Sequence, residues 1–152
     1  MLSKDCLLSS VVKLQRLGFE AEVSEEVNIL GGKSVSYYND IRTYNDAFAI
    51  ISDSDGFLVL LDKYEQKFSS LADATTHLAS VLVKRYFLPI EEAKDLRCEY
   101  SYLPDEDGHC YTCGDDKDLF NDNGEVLCRK HVVYYVGGKE KLELIGQKLP
   151  SE

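Results

Sequence analysis

The sequence predicts an α+β fold: an N-terminal unit of order α-β-β-β-α with an antiparallel sheet, followed by a small C-terminal β module. Apolar side chains recur at helical spacing near residues 4–17 and 70–88, and β-branched and aromatic segments broken by turn residues lie between them. Acidic residues and cysteines then become concentrated toward the end of the chain. We therefore predict two domains, 1–97 and 98–152.

The first element is predicted to be a helix over residues 4–17. Gly18 follows it, where a left-handed C-terminal cap is expected. Cys6 falls on the apolar side and is expected in the core. That side is predicted to contain Leu7, Leu8, Val11, Val12 and Leu14.

The middle of the chain is predicted to form strands. A turn is expected at Gly31-Gly32, and the Asp-Ser-Asp-Gly sequence at 53–56 predicts the clearest hairpin. The predicted strands are 19–23, 27–30, 35–38, 47–52 and 57–61.

A second long helix is predicted to begin at Ser70 and to end near Leu88. Ser70 and Asp73 have the spacing of a capping box, and Pro89 stops the helix. A short helix is then expected to end near residue 96. The buried stripe of the long helix is predicted to be Leu71, Ala74, Leu78, Val81 and Leu82.

Two pairs of metal-ligating residues stand close together in the C-terminal part. Cys110 and Cys113 form the first pair, and Cys128 and His131 form the second, each with two residues between the ligands. Such spacing allows one tight turn to direct both side chains toward a tetrahedral ion. The Asn-Asp-Asn-Gly sequence at 121–124 predicts a hairpin that would bring the two pairs together.

This arrangement, over about residues 108–136, resembles the zinc-ribbon and treble-clef families of small zinc modules. The resemblance implies that Cys110, Cys113, Cys128 and His131 bind a structural Zn²⁺, since four protein ligands leave no position for substrate. A strand follows the second pair in ribbons and a helix in treble clefs. The β-branched and aromatic residues at 132–136 favour a strand and therefore the ribbon.

Other interpretations of the cysteines and histidines remain open at this point. The cysteines of the cluster could be free and buried, and Cys98 could replace one ligand, although a core position suits it better. His109 could support the site, but a surface position is expected. Five cysteines without an export signal favour a reducing compartment, so we expect the cytoplasm, including that of a virus-infected host cell.

The charge of the chain bears on its partners. A formal net charge of −10 argues against passive binding to nucleic acid or to anionic lipid, and no run reaches the ~18–20 apolar residues of a membrane helix. The expected partner is instead a protein with a basic surface. The acidic residues expected to bind it are Asp105, Glu106, Asp107, Asp115, Asp116 and Asp118.

These features favour a non-catalytic protein-binding module, with a viral or mobile-element effector that inhibits a host nucleic-acid-binding protein as the specific hypothesis. The alternative is a nucleic-acid-binding zinc-ribbon regulator that uses basic residues near 84–87 or at Arg129 and Lys130. A weaker alternative is a metal-supported hydrolase. The sequence contains no nucleophile signature, so an enzyme is not expected.

Overall fold

The structure, a computed structural model, confirms the α+β class. Contacts divide the chain into two compact units, which we call the N-terminal unit (residues 1–34 and 43–79) and the C-terminal unit (35–42 and 80–152). The boundary predicted at 97/98 lies outside the described residues and stays a prediction. The described residues are 4–36, 43–61, 64–92, 108–122 and 125–150.

Among the described residues before residue 87, the chain forms two helices and five strands. Helix α1 spans Lys4–Arg16 and α2 spans Leu71–Tyr86. The strands form one antiparallel sheet in the order β1-β2-β3-β4-β5. Their bounds are β1 Glu20–Val23, β2 Ile29–Ser36, β3 Thr43–Asp53, β4 Gly56–Leu61 and β5 Tyr64–Phe68.

Helix α1 ends at a Schellman cap. Gly18 has φ +95°, its N–H donates to Gln15 O at 3.0 Å, and the Phe19 N–H donates to Leu14 O at 3.1 Å. The predicted cap is therefore confirmed.

The predicted apolar face of α1 is only partly right. Leu7, Val11 and Leu14 are buried as predicted. Cys6, Leu8 and Val12 are exposed instead. The buried stripe follows the i, i+4, i+7 series from Leu7, and the exposed residues lie about one helical step to either side of it.

Strand β2 runs straight through Gly31-Gly32, so the predicted turn there is wrong. Gly31 pairs with Ala21 of β1. A Cβ at Gly31 would lie 2.1 Å from Glu20 O and 2.5 Å from Phe48 Cζ. Glycine is needed at this position because a neighbouring strand and a core ring approach the backbone closely, not because the chain turns.

The hairpin predicted around residues 53–56 is confirmed. Strand β3 pairs antiparallel with β4, with Asp53 opposite Gly56. Strand β5 was not predicted, and its polar sequence explains why. Four of its five residues are exposed, so the edge strand lacks the apolar alternation that marks a half-buried strand.

Helix α2 begins as predicted and ends earlier than predicted. The Asp73 N–H donates to Ser70 Oγ at 3.1 Å, which caps the helix. Residues 87–88 are not helical, because Pro89 disfavours helical geometry in the residue before it. They form strand β6, Phe87–Pro89, in the C-terminal unit. Residues 90–92 are helical, and the rest of the predicted short helix lies outside the described residues.

The C-terminal unit is built from short elements. Strand β6 is followed by β7 (Leu119–Asp122) and β8 (Glu125–Cys128), which form an antiparallel three-stranded sheet in that order. Two helices follow, α3 (Arg129–Val132) and α4 (Gly138–Leu144). No helix within the described ranges is long and apolar enough to cross a membrane.

The core of the C-terminal unit combines aromatic stacking with a buried ion pair. The rings of Phe87 and Phe120 stack with centroids 5.3 Å apart. Beside them, Lys141 Nζ lies 2.9 Å from Asp122 Oδ1, and the two side chains are only 9% and 12% exposed. Strand β7 is thereby attached to helix α4.

Candidate metal centre

The four predicted ligands lie together in the structure. The ligand atoms of Cys110, Cys113, Cys128 and His131 are all within 4.8 Å of one another. The sequence therefore identified a cluster that is able to hold a metal ion.

The first pair is positioned by a tight turn of the backbone. The Gly114 N–H donates to Cys110 O at 2.8 Å, and the Cys110 N–H donates to Asp115 O at 2.7 Å. Gly114 adopts φ +78°, a backbone conformation that residues with a side chain rarely adopt. Apart from its chain neighbours, no atom lies within 4 Å of the position of a Cβ, so the conformation and not crowding favours glycine here. The Tyr111 N–H donates to Val126 O at 2.8 Å and holds this turn against β8.

The second pair lies where β8 meets α3. Cys128 is the last residue of the strand and occupies the N-cap of the helix, and His131 stands one helical turn further on. Residues three apart in a helix share a face, so both side chains are directed toward the first pair.

The separations are close to those of a tetrahedral site. With metal–sulfur bonds of about 2.3 Å and metal–nitrogen bonds of about 2.0–2.1 Å, two sulfurs would be about 3.8 Å apart and a sulfur and a nitrogen about 3.5 Å apart. Cys113 Sγ lies 3.8 Å from Cys128 Sγ, and His131 Nδ1 lies 3.7 Å from Cys110 Sγ. Nδ1 is 3.0 Å from Cys128 Sγ, so a bound ion would separate that pair slightly. The geometry indicates Nδ1 as the ligand atom of His131.

Backbone N–H groups stabilise the thiolate form of Cys110. Burial opposes ionisation of Cys110, but three peptide N–H groups outweigh it and lower the pKa of that thiol to about 6. The donors belong to Thr112, Cys113 and Cys128. Burial raises the pKa of Cys128 to about 11, and the neighbouring thiols reinforce this effect. Metal binding must therefore displace protons, Cys128's above all.

The strand predicted at 132–136 is wrong. Helix α3 covers Val132, and turns follow it. Gly137 has φ +80°, and a Cβ at Gly138 would lie 1.9 Å from Val132 O, so the chain reverses closely upon itself. This local geometry overrides the β propensity of the valines and tyrosines. A helix after the second pair is the feature by which treble clefs differ from ribbons, so the preference for a ribbon is not confirmed.

Arg129 holds the surroundings of the cluster together. Its Nε and Nη2 donate to the two carboxylate oxygens of Asp118 at 2.8 and 2.9 Å. Nη1 donates to Lys148 O at 2.7 Å and Nη2 to Gln147 Oε1 at 3.0 Å. Hydrogen bonding to Arg129 lowers the pKa of Asp118 and keeps that carboxylate charged.

The remaining predicted site residues have different outcomes. Asp115 and Asp116 are exposed, as a binding role requires, whereas Asp118 is held by Arg129. His109 is exposed and does not belong to the cluster. The others lie outside the described residues: Cys98, Asp105, Glu106 and Asp107.

Sequence reasoning missed the contacts that two histidines make with aromatic rings. The rings of His131 and Tyr134 meet edge to face, with centroids 5.5 Å apart. Tyr134 is three residues after His131, so a helix prediction for this segment would have indicated the contact. In the N-terminal unit, His77 packs against Tyr64 and Phe68, with centroid distances of 5.6 and 5.0 Å. These contacts join α2 to the unpredicted strand β5.

Comparison of the chain with protein-family models, with curated proteins and with solved structures finds no match.

Proposed function

We propose that the C-terminal unit is a structural-zinc module that presents a rigid protein-binding surface, and that the chain acts by binding a protein with a basic surface rather than by catalysis. The convergence of three thiols and one imidazole supports this proposal most directly. Soft thiolate ligands combined with imidazole in a tetrahedral set are typical of zinc.

A structural role for the ion follows from the completeness of the ligand set. Four protein ligands fill a tetrahedron and leave no open position for water or substrate. The unit also has reason to need such support, because β7, β8 and α3 are four residues long each. Metal binding would contribute its free energy directly to folding of these elements.

The surface beside the cluster suits recognition of a protein. Asp115 and Asp116 are exposed just after the first turn, and their position is fixed by the hydrogen bond between Asp115 O and the Cys110 N–H. Tyr111 is 77% exposed. Carboxylates guide encounter with a basic partner, and tyrosines supply contact area.

The nucleic-acid alternative receives less support. Arg129, one of the basic residues on which it depends, is committed to Asp118, Gln147 and Lys148. The hypothesis of a viral or mobile-element inhibitor of a host nucleic-acid-binding protein is consistent with an acidic surface and stays part of the proposal.

Quantitative affinity capture from the native cells with the full chain as bait tests the proposal. A D115N/D116N variant and a Cys113→Ser variant should both lose the same basic proteins. The matched control is E25Q/E26Q, which removes two exposed carboxylates from the N-terminal unit and should retain them. Equal recovery with all baits would contradict the proposal.

A further inference from the structure

A pocket of about 1270 Å³ in the C-terminal unit has a charge opposite to that of the whole chain. It is bordered by α3, by the start of α4 and by residues 146–150. Although the chain carries a net charge of −10, the pocket is lined by four cations, and Asp118 is the one acid among the described residues that line it. The cations are Arg129, Lys130, Lys139 and Lys148.

The three lysines give this pocket its net positive charge. Arg129 is neutralised by Asp118 in a bidentate ion pair. Lys130, Lys139 and Lys148 form no ion pair with any carboxylate of the described part of the chain. Lys141, which lies in the same unit but does not line the pocket, is instead paired with Asp122.

Apolar side chains lie in the same wall as the lysines. Tyr134 is 70% exposed and Leu149 is 42% exposed, and Val133 and Pro150 also line the pocket. A complementary ligand would therefore combine negative charge with an apolar group. The volume exceeds the ~300–1,000 Å³ typical of sites for small molecules, which favours a segment of a polymer.

We propose that this pocket binds an acidic peptide segment of a partner protein, with an apolar side chain against Tyr134 and Leu149 and carboxylates against Lys130, Lys139 and Lys148. A nucleic acid fits less well, because its phosphates continue beyond the pocket into the field of a strongly acidic chain. In a protein partner, by contrast, the negative charge can be limited to the short segment that occupies the pocket. This inference goes beyond the proposed function, since neither Asp115 nor Asp116 lines the pocket.

The test is a titration of the ¹⁵N-labelled, zinc-loaded full chain, monitored by amide chemical shifts. The probe is an acetylated hexapeptide of four glutamates, one leucine and one phenylalanine. Shifts should be confined to residues 118, 129–134, 139 and 146–149, since Pro150 has no amide proton. A peptide with glutamine in place of glutamate should bind at least about tenfold more weakly, because its charges are absent.

Two charge reversals provide the matched comparison. Lys139→Glu should weaken peptide binding by at least about tenfold, whereas Lys117→Glu, which reverses an exposed lysine outside the pocket, should change it less than about twofold. The amide spectra report in the same experiment that both variants are folded. Shifts elsewhere, absence of binding at about 1 mM peptide, or equal binding by both variants would overturn the proposal. Tighter binding of hexathymidylate than of the peptide would overturn it in favour of a nucleic acid.

Discussion

The interactions that stabilise the N-terminal unit internally differ in kind from those that stabilise the C-terminal unit. The N-terminal unit has a five-stranded sheet and a core of aliphatic side chains, of which Leu14, Ile29 and Leu78 are fully buried. The C-terminal unit has strands of three or four residues, a buried Lys141–Asp122 ion pair and a cluster of thiols.

This difference indicates where each unit obtains its stability. Burial of apolar surface grows with the length of the packed elements, so the N-terminal unit can fold by that means. Short elements bury too little, and a cross-link by a metal ion compensates. We therefore expect loss of metal to destabilise the C-terminal unit and loss of core volume in the aliphatic core to destabilise the N-terminal unit.

The largest effect is expected from Cys113→Ser. Loss of one of four ligands should remove most of a metal contribution of about 10 kcal/mol or more, and should unfold the C-terminal unit while the N-terminal unit remains folded. Hydrogen exchange resolved along the full chain measures both. The control is Cys6→Ser, which changes the exposed cysteine of α1 and should leave both units protected. Full zinc stoichiometry in Cys113→Ser would show that the ligand set is wrong.

The next effect is expected from Lys141→Met. It removes the buried cation that faces the Asp122 carboxylate and should destabilise the C-terminal unit by about 3–5 kcal/mol. Chemical denaturation of the zinc-loaded chain measures this. Lys117→Met, at an exposed position, should change stability by less than about 0.5 kcal/mol. An equal effect of both substitutions would mean that the buried pair does not stabilise this unit.

The corresponding test of the N-terminal unit is Leu78→Ala. Leu78 is fully buried in α2, so its truncation should cost about 2–5 kcal/mol. The zinc content should not change. Leu8→Ala, at a side chain 48% exposed, should cost much less. Loss of zinc from Leu78→Ala would contradict separate sources of stability in the two units.

The smallest effect is expected from Ser70→Ala. Removal of the hydroxyl that accepts from the Asp73 N–H should destabilise the N-terminal unit by about 1 kcal/mol. Thermal unfolding compared with Ser69→Ala, which changes the exposed neighbouring serine, measures it. Identical melting temperatures of the two variants would show that the cap contributes nothing.

The metal cluster was predictable from sequence because its information is local. Two ligand pairs and a turn sequence between them suffice to identify Cys110, Cys113, Cys128 and His131. The Gly18 cap and the hairpin at 53–56 were predictable for the same reason. Each depends on a few consecutive residues.

Two errors arose where a close approach of the backbone decides the local structure. Gly31 resembled a turn residue, but it is required by the approach of Phe48 and Glu20. The valines and tyrosines after His131 resembled a strand, but the close reversal at Gly138 prevents one. For Gly31 the deciding contact is tertiary, and for residues 132–136 it is a turn of the backbone that the side-chain composition of the segment does not display.

The central claim is that a bound ion holds the C-terminal unit, and the most direct test is metal analysis of the freshly purified full chain, combined with hydrogen exchange before and after a zinc chelator. We predict one zinc per chain, and we predict that chelation removes protection from β7, β8 and α4 while β3 and β4 stay protected. A chain without metal whose β7, β8 and α4 are nonetheless protected would contradict the account.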